Sequence, residues 1–343
     1  MPMRKIPGLV CRIMILLALA GFFAEPLSAQ WLREKIKGAI QARVDKKALE
    51  QEVASTFHEI EHAGRKRTYY LYLPSKWDKT SALPVVFLFH GGGGGARGAL
   101  YYYELEEKAE DAGFMLVAPN GTGEGEHALL TWNVAFGFGY AQKNNVDDVG
   151  FVNALLDELA GKYPIDAKRI YATGLSNGAI FCHFLAAAPG NRFAAIAPVV
   201  GTAGGKDEGE KNWHRPPEPQ VPVSVCIVQG MIDEHVPIAG GLQIKSIAAA
   251  KYMWSASQTI DLSVQANTCD STPVTIYDKK MNTTVHHYKN GRNNTEVIAY
   301  VIHDMGHAWP GSKRVPRAGS DKPSPNFPGN DIIWEFFRTH PRP

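Results

Sequence analysis

The residues that could carry chemistry are a serine between two glycines, an acid further along and a histidine near the end. Gly174-Leu175-Ser176-Asn177-Gly178 has the G-x-S-x-G form. A serine hydroxyl is a weak nucleophile until a base takes its proton and an acid orients that base. Downstream, Asp233 lies in Gly230-Met-Ile-Asp-Glu-His-Val-Pro237, and His307 lies in His303-Asp-Met-Gly-His-Ala-Trp-Pro-Gly311. Upstream, His90 leads into an unbroken run of glycines from Gly91 to Gly95. Such a loop lets backbone N–H groups reach a developing negative charge with no side chain in the way. The chemistry these residues could perform is acyl transfer. Ser176 would attack an ester carbonyl, His307 would take and return its proton, and Asp233 would orient the imidazole. The N–H groups of Asn177 and of Gly91 or Gly92 would hold the oxyanion. Glu234 is the second candidate for the acid and His303 for the base. A bare G-x-S-x-G also fits an ordinary glycine-rich turn; the order donor loop, nucleophile, acid, base is what a hydrolase needs.

Residues this far apart meet only if strands and helices bring them together. Ile170-Tyr-Ala is a short apolar run before the serine, and Ile180, Phe181, Phe184 and Leu185 recur at helical intervals after it. That makes a strand-to-helix turn, with Gly174 and Gly178 removing the side chains that would collide there. Pro84–His90, Phe114–Pro119, Phe193–Val200, Val221–Gln229 and Glu296–Ile302 read as buried strands. Leu105–Ala112, a segment from Asp147-Asp148 to Tyr163, Gln243–Ser257 and Asp331–Thr339 read as helices. Asp147 and Asp148 suit an N-terminal helical turn. Val53–Pro74 reads as a hairpin turning at Gly64, 201–220 as a polar loop and Val274–Tyr288 as short strands. Alternation of strand and helix predicts a three-layer α/β fold around a mostly parallel sheet, in the α/β-hydrolase arrangement, as one domain over 53–343.

Other motifs compete for attention. His58-Glu-Ile-Glu-His62 matches the zinc-peptidase pattern H-E-x-x-H, which requires a helix. Its flanks are strand-like, and on a strand Glu59 points away from both histidines. The glycine run lacks the G-K-[ST] of a phosphate loop, and no cofactor or metal is expected. Trp132, Phe136, Phe138 and Tyr140 could line an apolar cleft or form a flap on the core.

The 343-residue chain is 45% hydrophobic and 20% charged, an ordinary globular composition. Arg4, Lys5 and Arg12 precede an apolar run from Ile13 to Ala24, and Leu27-Ser28-Ala29 resembles a cleavage site. Residues 1–29 therefore read as a secretory signal peptide, with an uncleaved membrane anchor as the alternative. Secreted or periplasmic localisation follows, with no stable membrane anchor after cleavage. Residues 30–52 read as a charged helix or tether. The precursor carries 36 Lys+Arg and 34 Asp+Glu; the leader takes three basic residues and one acidic residue with it, leaving 33 of each sign. Neutrality and the lack of a basic run give no reason to expect a nucleic-acid partner. Cys182, Cys226 and Cys269 remain, an odd number, so at least one thiol is unpaired or pairs between chains.

His90-Gly-Gly-Gly, Trp132-Asn133, Asp147-Asp-Val-Gly-Phe151, Gly174-Leu-Ser-Asn-Gly178, Asp233 with Val236-Pro237 and Gly240-Gly241, and Gly306-His-Ala-Trp-Pro-Gly311 together resemble the polyhydroxybutyrate depolymerase/feruloyl esterase family of exported α/β-hydrolases. The likeness covers about residues 66–311. It implies a serine esterase with Ser176, Asp233 and His307 as its triad, acting on feruloyl-type, short-chain or hydroxyalkanoate esters, small or polymeric. It also implies Trp309 beside the acyl pocket, and Trp132, one of the aromatics that could line a cleft, is the second candidate for substrate contact. Members often pair the cysteine matching Cys269 with a second one before the last strand, where this chain has none. A serine peptidase of the same fold and a non-catalytic hydrolase-like binding protein are the competing readings.

Overall fold

The computed structural model describes residues 53–125, 128–137, 139–207, 209–243, 251–314 and 321–343. The expected signal peptide, 1–29, and the expected helix or tether, 30–52, lie outside the described residues, as does Phe138.

The chain enters through a hairpin of β1 (Thr56–His62) and β2 (Arg65–Tyr72), turning at Ala63 and Gly64, both with positive φ. This mirror-image turn matches the twist of paired strands. The H-E-x-x-H stretch lies on β1, so its residues alternate across the strand. Lys66 pairs with Glu59 at 2.7 Å and His58 stacks on Tyr69, and no cluster of three metal-ligating side chains occurs among the described residues.

Next come β3 (Leu83–Phe89), α1 (Ala96–Tyr103), α2 (Leu105–Ala112) and β4 (Met115–Pro119). A short α3 (Tyr140–Lys143) precedes α4 (Asp148–Lys162) and β5 (Ile165–Leu175). The serine turn leads into α5 (Asn177–Ala187), followed by β6 (Ala195–Val199), β7 (Gly205–Asp207) and β8 (Ser224–Gly230). Short strands β9 (Gly241–Leu242) and β10 (Lys251–Met253) precede α6 (Ala256–Asn267). The chain closes with β11 (Val274–Asp278), β12 (Thr283–Tyr288), β13 (Val297–Ile302) and α7 (Gly329–Thr339).

Ten strands form one sheet in the order β1-β2-β4-β3-β5-β6-β8-β13-β12-β11. The six from β4 to β13 are parallel, and the two at each edge are antiparallel. Every residue of β3, β4, β6 and β8 is buried, as strands covered on both faces require. Alternate residues serve opposite layers. Val85, Phe87 and Phe89 pack with Phe151, Leu155 and Phe181 from α4 and α5, whereas Val86 and Leu88 pack with Leu100, Ile333 and Phe337 from α1 and α7. The expected three-layer α/β-hydrolase architecture is present.

Two local expectations change. The helix expected over 243–257 begins only at Ala256, where Ser255 and Gln258 form a capping box. Before it, Lys251–Met253 is a strand, paired with β7 and β9 in a small three-stranded sheet, and 244–250 lie outside the described residues. The 201–220 loop contains β7, and the glycine run continues into α1. Side-chain periodicity over two or three residues is too short to reveal such strands; tertiary pairing forms them.

Candidate active site

Ser176 sits where β5 turns into α5. Its φ is 56° and ψ −118°, a conformation an L-residue adopts only when its surroundings hold it there. Ser176 N–H donates to Val199 O at 3.0 Å, and its carbonyl accepts from Ile180 N–H at 2.9 Å. The flanking glycines are required by crowding. A Cβ on Gly174 would lie 2.7 Å from Phe89 O, and one on Gly178 would lie 2.6 Å from His90 O. Strand β3 thus passes against the turn so closely that only glycine fits. The first N–H groups of α5 have no intrahelical acceptor, which leaves them available beside the serine.

The candidate acid and base lie past the ends of neighbouring parallel strands. His307 follows β13 and Asp233 follows β8. His307 Nδ1–H donates to Asp233 Oδ2 at 2.8 Å. The other carboxylate oxygen accepts from His235 N–H and Val236 N–H, each at 2.8 Å. Asp233 is buried and held from both sides, which fixes the His307 tautomer with Nε2 available as a base. His303 has a different partner, Thr284 Oγ1 at 2.8 Å, so of the two histidine candidates His307 is the one joined to an acid. Asp321, which the sequence reading overlooked, accepts from His307 N–H at 2.7 Å and pins that loop from behind.

His90 organises the glycine loop. Gly121 N–H donates to its Nε2 at 2.9 Å, so Nδ1 carries the proton and donates to Gly91 O at 2.8 Å. Burial lowers the His90 pKa to about 4, in keeping with a neutral ring at both contacts. Trp132 Nε1–H donates to His90 O at 3.0 Å, and Gly93 N–H to Leu130 O at 2.8 Å. Asn177 adds a second link: its Oδ1 accepts from Trp132 N–H at 2.8 Å. Its side chain therefore braces the 130s segment.

Gly91, Gly92, Ser176, Asn177 and His307 line one cavity of about 170 Å³. Its walls are Val134, Phe136, Leu175, Ile180, Val236 and Met253, with Gly137, His235, Gln243 and Lys251. Neither of the two tryptophans expected beside the substrate is among the residues lining this cavity. Trp132 is fully buried, stacked on Phe181 with ring centres 5.0 Å apart. Trp309 is also buried, stacked on Tyr103 at 4.5 Å, with Nε1–H donating to Asn330 Oδ1. Trp132 packs against the rings of Phe89, His90 and Phe181, and Trp309 against that of Tyr103. Of the expected aromatics, Phe136 lines the cavity. Lys251 and Met253 also line it, and they fall in the segment misread as helix.

Asp147 and Asp148 divide the roles expected of them. Asp147 caps α4, accepting from Gly150 N–H at 2.8 Å. Asp148 turns inward to pair with buried Arg67 at 2.7 Å and accepts from Asn133 N–H. Cys182 and Cys226 are buried free thiols, and Cys269 is free and half-buried.

The sequence model of a family described as "Putative esterase" matches residues 60–258. The chain is 26% identical over 276 residues to "Putative esterase NocK" of Nocardia uniformis subsp. tsuyamanensis, covering 76% of this chain and 75% of the relative. It is 26% identical over 182 residues to "Probable feruloyl esterase C" of Aspergillus clavatus, covering 51% of this chain and 58% of that protein. Among solved structures, an acetyl xylan esterase from Aspergillus awamori superposes with a TM-score of 0.52 at 16% identity, covering 82% of this chain and 99% of its own; this likeness is one of fold.

Proposed function

The chain belongs to this esterase family, whose chemistry is carboxylic-ester hydrolysis, and from that premise we propose that it works as a serine hydrolase through an acyl-enzyme on Ser176. The observation that carries the proposal is the convergence of Ser176, His307 and the Gly91–Gly92 and Asn177 backbone on one cavity, with His307 joined to buried Asp233 at 2.8 Å. His307 Nε2 takes the Ser176 proton as Oγ attacks the ester carbonyl carbon. The carbonyl π electrons move onto oxygen, and the backbone N–H groups stabilise that charge. Collapse of the tetrahedral intermediate expels the alcohol, protonated by His307. Water then repeats the sequence on the acyl-enzyme and frees the acid.

The substrate class is a feruloyl-type, short-chain or hydroxyalkanoate ester. Support comes from the apolar walls, with Phe136 among them, and from the feruloyl esterase relative. Export belongs to the same reading and rests on the charged, apolar and small-residue regions of residues 1–29. Intact-mass measurement of the exported protein should find Gln30 at its N-terminus; a retained leader would refute cleavage there.

The decisive experiment assays aryl, feruloyl and hydroxybutyrate esters with the wild type and Ser176→Ala. Loss of at least about 10³-fold in kcat is expected, together with loss of labelling by a serine-reactive phosphonate. Ester turnover that survives the substitution would exclude the mechanism.

A further inference from the structure

The cavity around Ser176 holds a cation that ester hydrolysis as described does not use. Lys251 lines it, yet the residue is buried on β10. Its ammonium end lies against Gly137, where an added Cβ would be 3.5 Å from Nζ. No aspartate or glutamate is among the described residues lining this cavity, whereas His235 and His307 are. A nearby carboxylate among the described residues is Asp207, opposite Lys251 in the β7–β10 ladder, and its Oδ1 accepts from Gly137 N–H at 2.9 Å. Glu210 and His214 stand close enough to Asp207 to influence its charge. Lys251 is thus the one lysine or arginine among the described residues lining the cleft, set against apolar walls, and buried Asp233 stands behind His307.

We infer that Lys251 is a specificity-determining residue that selects esters carrying a free carboxylate in the part of the substrate lying along the Gly137 side of the cleft. The inference rests on Ser176 being the nucleophile of the same cleft. A buried ammonium has lost much of its hydration, so a carboxylate entering the cavity gains a charge-assisted hydrogen bond in a poorly screened place. An uncharged group of the same shape gains none of this. Burial pulls the Lys251 pKa down to about 8, against the opposing pull of Asp207. Lys251 is thus charged near neutrality and loses its proton on a modest rise in pH. Phe136, Val134 and Met253 supply apolar contact for the linking chain.

The test compares two 4-nitrophenyl esters of equal shape, one of glutaric acid with its second carboxylate free and one with that carboxylate replaced by a carboxamide. The wild type at pH 7 should favour the carboxylate by about 10-fold in kcat/KM, the scale of one hydrogen bond to a charged group. Lys251→Met should bring the ratio to about one, and Lys251→Arg should keep most of it. The wild-type ratio should also fall between pH 7 and 9, as the Lys251 ammonium loses its proton. A ratio near one in the wild type, or one unchanged in Lys251→Met or by pH, would overturn the inference while leaving the esterase intact. Should Lys251→Met fail to fold, the wild-type pH series decides. Should the wild type hydrolyse neither ester, the nucleophile reading fails separately. Calorimetric binding of glutaramate against glutaramide then tests Lys251 alone, and equal affinities would overturn it.

Discussion

Asp233 shows how one side chain can be fixed to do a single task. Two backbone N–H groups hold one oxygen and His307 takes the other, so the carboxylate cannot turn away. Replacing Asp233 with Asn should keep this loop but let the amide donate to Nδ1, favouring the imidazole tautomer that cannot act as a base. A fall in kcat of about 10³–10⁴-fold is expected, read from steady-state kinetics, with Glu234→Gln within a few-fold of wild type. Equal losses in both variants would reassign the acid. His90 acts at one remove, through Gly91 O and Gly121 N–H. Removing its two hydrogen bonds in His90→Leu should loosen the donor loop. Activity should drop by about 10²-fold, the size of a lost oxyanion contact, while phosphonate labelling of Ser176 persists. Unchanged kcat would mean that the loop holds its shape without the ring.

At the scale of elements, the site depends on two close approaches. Strand β3 lies so near the β5–α5 turn that Gly178 cannot carry a methyl group without striking the His90 carbonyl. Gly178→Ala should therefore lower both melting temperature and kcat, whereas Gly161→Ala on α4, where a Cβ meets nothing within 4 Å, should leave kcat unchanged. The second approach joins β2 to α4 through the buried Arg67–Asp148 pair. Arg67 also lies over the Phe151 ring at 3.8 Å, and Asp148 holds Asn133 N–H. Arg67→Met would strand a buried carboxylate, costing about 3–5 kcal/mol in denaturant unfolding. A cost below about 1 kcal/mol would show that the pair is expendable.

Across the whole molecule, two buried histidines tie stability to pH. Burial lowers the pKa of His90 and of His183 to about 4. In the unfolded chain both return to about 6.5. Between these values the unfolded state binds protons that the folded state refuses, so stability rises with pH there. The contribution is fully present above about pH 6.5 and is lost as pH falls toward 4, at up to roughly 3 kcal/mol for each ring. His183 Nε2 has no hydrogen-bond partner among the described residues, and His183→Phe should remove its share. Melting temperatures from pH 7 to 4 should fall steeply for the wild type and less so for the variant; parallel curves would exclude His183 as a source.

Much of this protein is written locally. The order His90-Gly-rich loop, Ser176, Asp233, His307 was legible because each motif needs its own residue types at short range, and the strands carrying them are long apolar runs that only a covered sheet accommodates. Gly174 and Gly178 mark a tight turn by residue type alone, and the carbonyls of Phe89 and His90 are what crowd them. What sequence could not supply was contact between distant positions. Trp132 looks like a cleft residue because large aromatics suit binding sites, and Trp309 by family resemblance, but Phe181 and Tyr103, far away in the chain, stack on them, and neither lines the cavity. Lys251 falls in a segment that reads as helix, and no local pattern marks Asp321. Tertiary structure alone paired Lys251 with β7 at the edge of the cleft and set Asp321 under the His307 backbone, because short strands and backbone caps are formed by partners that no local pattern names.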